Sequence, residues 1–200
     1  MIFRDFPLSD LSRSIRLATA ADLAALSALS IEVWLDTYAP DGISQPFADH
    51  VLRAYSAEAL ARELESPDRI FLVCEHSGFL LAYAKLSLSP EIPPGATGTA
   101  ELETLYVRRH HKRQGIGAAL FHRSMETLSA HGHDHVFLTV FEHNQSALKF
   151  YDALGLEREG RFIFHFEDQS APNIIFGAGT VCKKKNCRAT SGDFASKSGV

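Results

Sequence analysis

Apolar and polar positions alternate, cluster and repeat along this chain in a way that divides it into twelve elements. Ser14 to Ala18 alternates as a short strand. Thr19 and Asp22 then resemble a capping box with Asp in place of Glu. Leu23, Leu26, Ile31, Val33, Trp34 and Leu35 follow at near-helical spacing to about Tyr38, where Pro40, Asp41 and Gly42 stop the helix. Ala48 to Tyr55 and Ala57 to Glu65 read as two short helices, the second capped by Ser56 and closed before Pro67. Arg69 to Glu75 and Phe79 to Ser89 are apolar strands joined by a tight His-Ser-Gly turn, an antiparallel hairpin. A Pro/Gly-rich loop, 90 to 98, leads into a strand through Val107. The helix after it runs to about Ala130, with Leu120, Phe121, Met125 and Leu128 on one stripe. Val136 to Phe141 is a buried-type strand, Gln145 to Leu154 a helix stopped by Gly155, and Glu157 to Phe166 and Asn173 to Val181 are closing strands.

That order, β-α-α-α-β-β-β-α-β-α-β-β, predicts an α/β (α+β) fold. Its sheet of six to seven strands is mainly antiparallel and flanked by helices, with one parallel crossover through the central helix. Residues 1–13 read as a loose lead-in, 14–181 as one domain, and 182–200, where Lys, Ser, Gly and Asp recur without periodicity, as a disordered tail. Two hundred residues, 46% hydrophobic and 22% charged, suit a soluble globular protein with a real core. The net charge of -4 disfavours a nucleic-acid partner. No apolar run approaches membrane-spanning length and no signal peptide is visible, so the expected location is cytoplasmic, with no membrane partner. Cys74, Cys182 and Cys187 make no disulfide framework.

The chemistry concentrates between Glu101 and Leu120. A strand carrying Glu101 and Glu103 on one face runs into a basic turn with Arg108, Arg109, Lys112 and Arg113. The turn ends on Gly115-Ile116-Gly117 at a helix start. The first amides of a helix have no internal partner and lie at the positive end of its dipole, and glycines let a phosphate approach them. The pattern is neither the dinucleotide fingerprint nor a P-loop, and alone it equally describes close helix packing.

Lys112-Arg113-Gln114-Gly115-Ile116-Gly117 resembles the Gln/Arg-x-x-Gly-x-Gly/Ala turn of the GNAT superfamily of acetyl-CoA-dependent N-acetyltransferases, with Lys112 in place of Gln or Arg. Asn144 to Leu156 resembles the family's second motif, Asn-x-x-Ala-x-x-Phe-Tyr-x-x-x-Gly-Phe, with Leu156 for the final Phe. The resemblance covers roughly residues 14–181 and implies a GNAT-like sheet. It implies acetyl-CoA as co-substrate without a metal, its pyrophosphate on the amides from Arg113 to Ala118 (Gln114, Gly115, Ile116 and Gly117 between them). It also implies a pantetheine arm along Leu105, Tyr106 and Val107, with Lys112, Asn144, Ala147 and Phe150 completing that side. Glu101 to Val107, Phe141 to Asn144, Gly160 to Asp168 and the Trp34 to Tyr38 region are similar to bacterial spermidine/spermine-type members. That finer likeness implies a small cationic amine as acceptor.

Acetylating an amine requires a group that takes the ammonium proton and one that protonates the departing thiolate. Glu103, nearer the turn, is the preferred base and Glu101 the alternate; two adjacent carboxylates raise each other's pKa. Pairing with basic groups on adjacent strands is the competing fate of each. Tyr151 is the general acid that the resemblance implies, against the alternative of an aromatic packed on the sheet. Asn144 also suits an N-cap. Trp34, Asp36 and Tyr38, with the 43 to 55 segment and Asp49, are expected to build the acceptor pocket. His131, His133 and His135 lie in a surface turn without a second shell and are not read as a metal site, nor is Cys182 with Cys187. With no cysteine or serine beside a base, transfer is expected by direct attack in a ternary complex. The alternatives are a non-catalytic acyl-CoA sensor, acetylation of a protein N-terminus or lysine, and a macromolecular contact through Lys183 to Lys185. The edges of such a sheet are also able to pair in a homodimer.

Overall fold

The computed structural model describes residues 13–166 and 169–180, without side-chain placements for 164–166 and 169. The lead-in before Arg13, Asp168 and the tail with Cys182, Lys183 to Lys185 and Cys187 lie outside the described residues. The chain forms β1 (Ser14–Leu17), α1 (Leu23–Tyr38), α2 (Gln45–Ala54), α3 (Ala57–Leu64), β2 (Arg69–His76), β3 (Phe79–Ser87) and β4 (Ala100–Val107). It continues with α4 (Ile116–Ala130), β5 (His135–Phe141), α5 (Gln145–Ala153), β6 (Glu157–Phe166) and β7 (Gln169–Gly179). The element order is the one expected. The largest boundary differences have local reasons: α2 begins three residues earlier than expected because Ser44 caps it and Pro46 sits in its first turn. β7 begins at Gln169, because β6 and β7 form one long hairpin paired from Glu157↔Gly177 to Phe166↔Gln169.

The seven strands form one mixed sheet in the order β1-β2-β3-β4-β5-β7-β6. Every pairing is antiparallel except β4 with β5, which α4 connects. On one face, α4 (Leu120, Met125, Leu128) and α5 (Leu148, Tyr151) cover Ala84, Leu86, Leu102, Leu138 and Phe176. On the other face, Leu26, Leu29 and Val33 of α1 and Leu60 of α3 pack on Phe71, Val73 and Tyr83. Cys74 is buried, as its apolar strand implies. Asp22 accepts from the Thr19 amide at 2.8 Å and pairs with Arg16 at 2.7 Å, so the capping box also ties the start of α1 to β1.

Two departures from regular pairing shape the centre of the sheet. β4 and β5 pair only at Ala100↔Val136 and Glu101↔Phe137, so from Leu102 onward the two strands diverge. The β3–β4 register also slips between Lys85↔Thr104 and Leu86↔Leu102, which leaves Glu103 as an extra residue on β4, a β-bulge. Ala100, Leu102, Leu105 and Val107 consequently pack on the α4 side. The residues between them present the α1/α3 face: Tyr106 packs on the cluster there and Glu103 pairs with Glu63's partner, Lys85.

Candidate active site

The divergence of β4 from β5 leaves a wedge with unpaired backbone on the β5 side of Leu102 to Val107. An extended arm could add to that edge much as another strand would. Leu105 and Val107 direct their side chains into the core, and Tyr106 turns its ring to Tyr83 (5.6 Å between centroids) and its hydroxyl to Tyr55 (3.4 Å). All three therefore offer the wedge only backbone.

At the wide end of the wedge lies the glycine turn. Arg113 (φ 59°) and Gly115 (φ 81°) are both left-handed, which curls the backbone from Lys112 to Ile116 into a nest ahead of α4. The first helical bond is Ala119 N–H to Gly115 O at 3.0 Å. Among the described residues, the amides from Arg113 to Ala118 have no backbone acceptor. Arg13 steadies the turn by donating to the Gln114 carbonyl at 3.0 Å and to Gln114 Oε1 at 2.5 Å. A Cβ on Gly117 would lie 3.3 Å from Phe150 Cζ, so glycine there seats the helix start on α5. Phe150 is thus a buttress for the turn, and Ala147 packs beside it on the core. The Asn144 side chain accepts from the Ala147 amide at 3.1 Å and is the N-cap of α5. A cleft of about 830 Å³, bordered by Asp36, Pro40, Arg109, Lys112, Arg113 and Ser146, opens beside the turn.

At the narrow end stands Glu101, opposite Ser87 on β3 and Phe137 on β5 at the last paired position before the strands part. Burial, then the neighbouring Glu103 charge, raise its carboxyl to about 7, against the opposing pull of Lys85 and Arg69. Glu103 has a different environment. Its carboxylate lies 3.0 Å from Lys85 Nζ and 3.3 Å from Arg69 Nη2, and its side chain is 20% exposed. The competing fate weighed for both acids, pairing with basic groups on neighbouring strands, is the one Glu103 adopts; Glu101 forms no such ion pair among the described residues.

Tyr151 is 7% exposed, with its ring against Phe121, Phe150 and Phe176 at 5.0–6.3 Å. Burial pushes its phenol above the ordinary value, so it is protonated across the neutral range. The ring therefore packs on the sheet, the alternative weighed for it, and carries a neutral phenol.

The acceptor-side residues separate. Trp34 and Tyr38 meet in a tilted pair with ring centroids 5.0 Å apart, and Trp34 also touches Phe47 (5.2 Å) and His50 (5.0 Å). The rings continue from His50 to Tyr55 and from Tyr38 to Phe141, so an aromatic arc runs from Tyr106 on β4 to the end of β5. Asp36 does not join that arc. It lies 3.5 Å from both Arg109 and Lys112, on the cleft beside the glycine turn. Asp49 is exposed and accepts from Gln45. The turn histidines have separate partners: His131 with Thr127 O, His133 with Thr99 Oγ1, His135 with Glu159. Among the described residues no group of three or more His, Cys, Asp or Glu is placed to hold a metal ion, and no helix is long and apolar enough to cross a membrane.

Lys85 and Arg69 are the residues beside Glu101 and Glu103 that sequence reasoning did not single out, whereas Tyr55 falls in the 43 to 55 segment expected at the acceptor pocket. A lysine within the apolar run Phe79 to Ser89 was the available signal, because a charge inside a strand bound for the sheet centre needs a partner.

The family model described as the acetyltransferase (GNAT) family matches residues 28–156. An uncharacterised N-acetyltransferase of Lactobacillus delbrueckii subsp. lactis is 27% identical over 158 residues, spanning 77% of this chain and 90% of the relative. One from Mycobacterium tuberculosis is 31% identical over 146 residues, spanning 72% and 87%. The PaiA N-acetyltransferase of Thermoplasma acidophilum, solved with coenzyme A, superposes with a TM-score of 0.65 at 22% identity, covering 84% of this chain and 99% of that one. The chain belongs to the GNAT acetyltransferase family. It is an acyltransferase, an N-acetyltransferase that uses acetyl-CoA, and its fold is the mixed GNAT sheet expected from the two motifs.

Proposed function

We propose that this chain acetylates a primary amine by direct attack on acetyl-CoA, with Glu101 rather than Glu103 as general base and Tyr151 as general acid. The observation that carries the assignment is Glu101's position: half-buried at the root of the wedge, without an ion pair among the described residues, and with a carboxyl raised to about 7. Glu103, held by Lys85 and Arg69, is poorly placed to accept a proton. The pyrophosphate sits on the amides from Arg113 to Ala118 with Lys112 at the rim, and the pantetheine arm follows the open edge of β4. The acceptor ammonium gives one proton to Glu101; its nitrogen attacks the thioester carbon, and the C–N bond forms as the C–S bond breaks. Tyr151 protonates the thiolate, and the second proton of the attacking nitrogen restores the phenol through solvent. The products are amide, free thiol and one net proton.

The acceptor enters from the α1/α2 side, along the arc containing Trp34, Tyr38 and Tyr55. Of the acids expected to hold a second ammonium, Asp36 is already paired with Arg109 and Lys112. We therefore place a monoamine with an apolar or aromatic body ahead of a polyamine, and the cytoplasm as the setting.

The test is thiol release from acetyl-CoA against monoamines, polyamines, aminoglycosides, amino acids and peptide N-termini. Acceleration by one class names the acceptor; acetyl-CoA binding without acceleration by any amine refutes the reading in favour of a sensor. Two variants accompany it. Tyr151→Phe should lower kcat about 10-fold or more with the KM for acetyl-CoA little changed. Gly117→Val, which drives a branched side chain into Phe150, should instead raise that KM several-fold.

A further inference from the structure

Around Glu101 the charges are arranged as a closed set with one member left over. Lys85 on β3 contacts Glu63 of α3 at 2.6 Å and Glu103 of β4 at 3.0 Å. Arg69 on β2 contacts Glu103 at 3.3 Å and donates to Ser87, the residue directly opposite Glu101. Two cations and two anions therefore balance, and each cation spans from its own element to another. Glu101 is the odd carboxylate. Among the described residues, the further ionisable groups beside this set include Arg62 and Asp68, which line a cleft with Glu63 and Arg69, and Tyr38, Tyr55, Tyr83 and Tyr106, whose phenols burial holds above the ordinary value and therefore neutral. The β5 residue beside Glu101, Phe137, carries no charge.

The bulge makes the set possible. With an unbroken register, Lys85 would face one β4 residue; the slip places both Glu103 and Thr104 against it, so Glu103 reaches two cations while keeping to the face of Glu101.

We propose that Lys85 and Arg69 are positioning residues for the transfer: they clamp Glu103 at the bulge in an ion-paired position, and the clamp leaves the acceptor's proton to Glu101. This rests on the reading of Glu101 as the base. When Glu101 takes the proton of the acceptor these five groups sum to zero charge, so proton uptake is favoured where a half-buried net charge would otherwise persist. Glu103 acts through its charge alone and never touches the acceptor. Removing the Glu103 charge should make Glu101 a weaker base, and removing a clamping cation should make it a stronger one.

The experiment is a carboxyl 13C titration of the full chain, with Glu101 assigned by its loss in Glu101→Gln; it needs no acceptor. The Glu101 midpoint should fall by about one pH unit in Glu103→Gln and rise in Lys85→Gln, with Lys85→Arg restoring it. If Lys85→Gln does not fold, Arg69→Gln carries the same expected sign. Unmoved midpoints, or shifts in the same direction for the anion and cation variants, overturn the clamp. Thiol release separates this from the functional reading. Midpoints that move as expected in an enzyme whose Glu101→Gln variant retains full turnover leave the clamp standing and refute Glu101 as base. Loss of turnover in Glu101→Gln with unmoved midpoints does the reverse.

Discussion

Glu101→Gln should lower kcat by about 10²- to 10³-fold while leaving acetyl-CoA binding intact, the loss expected when a general base is replaced by an isostere. The pH profile makes the expectation specific. Glu101 works as its carboxylate, and its carboxyl lies at about 7, so kcat/KM of the parent should climb through neutrality as Glu101 ionises. In the variant that limb should vanish, leaving the limb of the acceptor amine itself, which lies higher for an ordinary alkylamine. Profiles of parent and variant that keep the same limb near 7 would show that another group is the base.

The same substitution should stabilise the fold. A carboxyl whose folded value lies above its unfolded one favours the native state only while protonated. The parent therefore loses stability as the pH rises from about 4.5 to about 7, and no further loss follows above that. Glutamine carries no such penalty. At about 1.4 kcal/mol per pKa unit, the variant should gain up to about 3 kcal/mol at pH 8 and less than about 1 kcal/mol at pH 5. Thermal unfolding across that range measures it. A protein that is more stable and nearly inactive cannot owe its inactivity to misfolding, which is why the two readouts belong together.

The choice between Glu101 and Glu103 shows where sequence reading stops. Their common face follows from alternation, and the glycine turn with its Asn144 to Gly155 partner was legible because both are local patterns with a family resemblance. Even the bulge left a trace: the core positions of β4 run 100, 102, 105, 107, a step of three among steps of two. What no local pattern could supply was the pairing. That Lys85 falls opposite the bulge depends on the β3–β4 register, and that the wedge opens after Glu101 depends on where β4 leaves β5, thirty-odd residues away in the chain. Proximity to the turn along the sequence favoured Glu103; proximity to the root of the wedge in space favours Glu101. Asp36 misled for a similar reason. Its position at the end of α1 is local, but its partners Arg109 and Lys112 come from the turn after β4, more than seventy residues on.

Gly98→Ala should be among the most damaging single-methyl additions in the chain. Gly98 is buried just before β4, and a Cβ there would lie 2.4 Å from Phe137 N, 2.6 Å from Val136 C and 2.9 Å from Val136 Cα. All three atoms are β5 backbone, so no rotamer change relieves the clash; the strands themselves must separate. Val136 and Phe137 are the same residues that pair with Ala100 and Glu101, and those two pairings, continued by the Thr99 N–H to His135 O bond at 3.0 Å, make up the short β4–β5 ladder. The halves of the sheet meet there, and so does the root of the wedge. Overpacking of a core side chain costs about 1–3 kcal/mol, and a backbone clash should sit at or above the upper end. For a chain of this size, that corresponds to a fall in Tm of about 6–12 °C. The residual folded protein should also be slow, because moving β5 moves Phe137, the neighbour that shields Glu101 at the root of the wedge. Gly160→Ala is the control: its nearest neighbour would be Ile175 Cδ1 at 3.7 Å, an ordinary contact, and its Tm and turnover should stay close to the parent's. Equal effects from both substitutions would mean that strand propensity in this sheet, and not the close approach at Gly98, sets the loss. An unaffected Gly98→Ala protein would mean that β4 and β5 do not approach so closely at the root of the wedge.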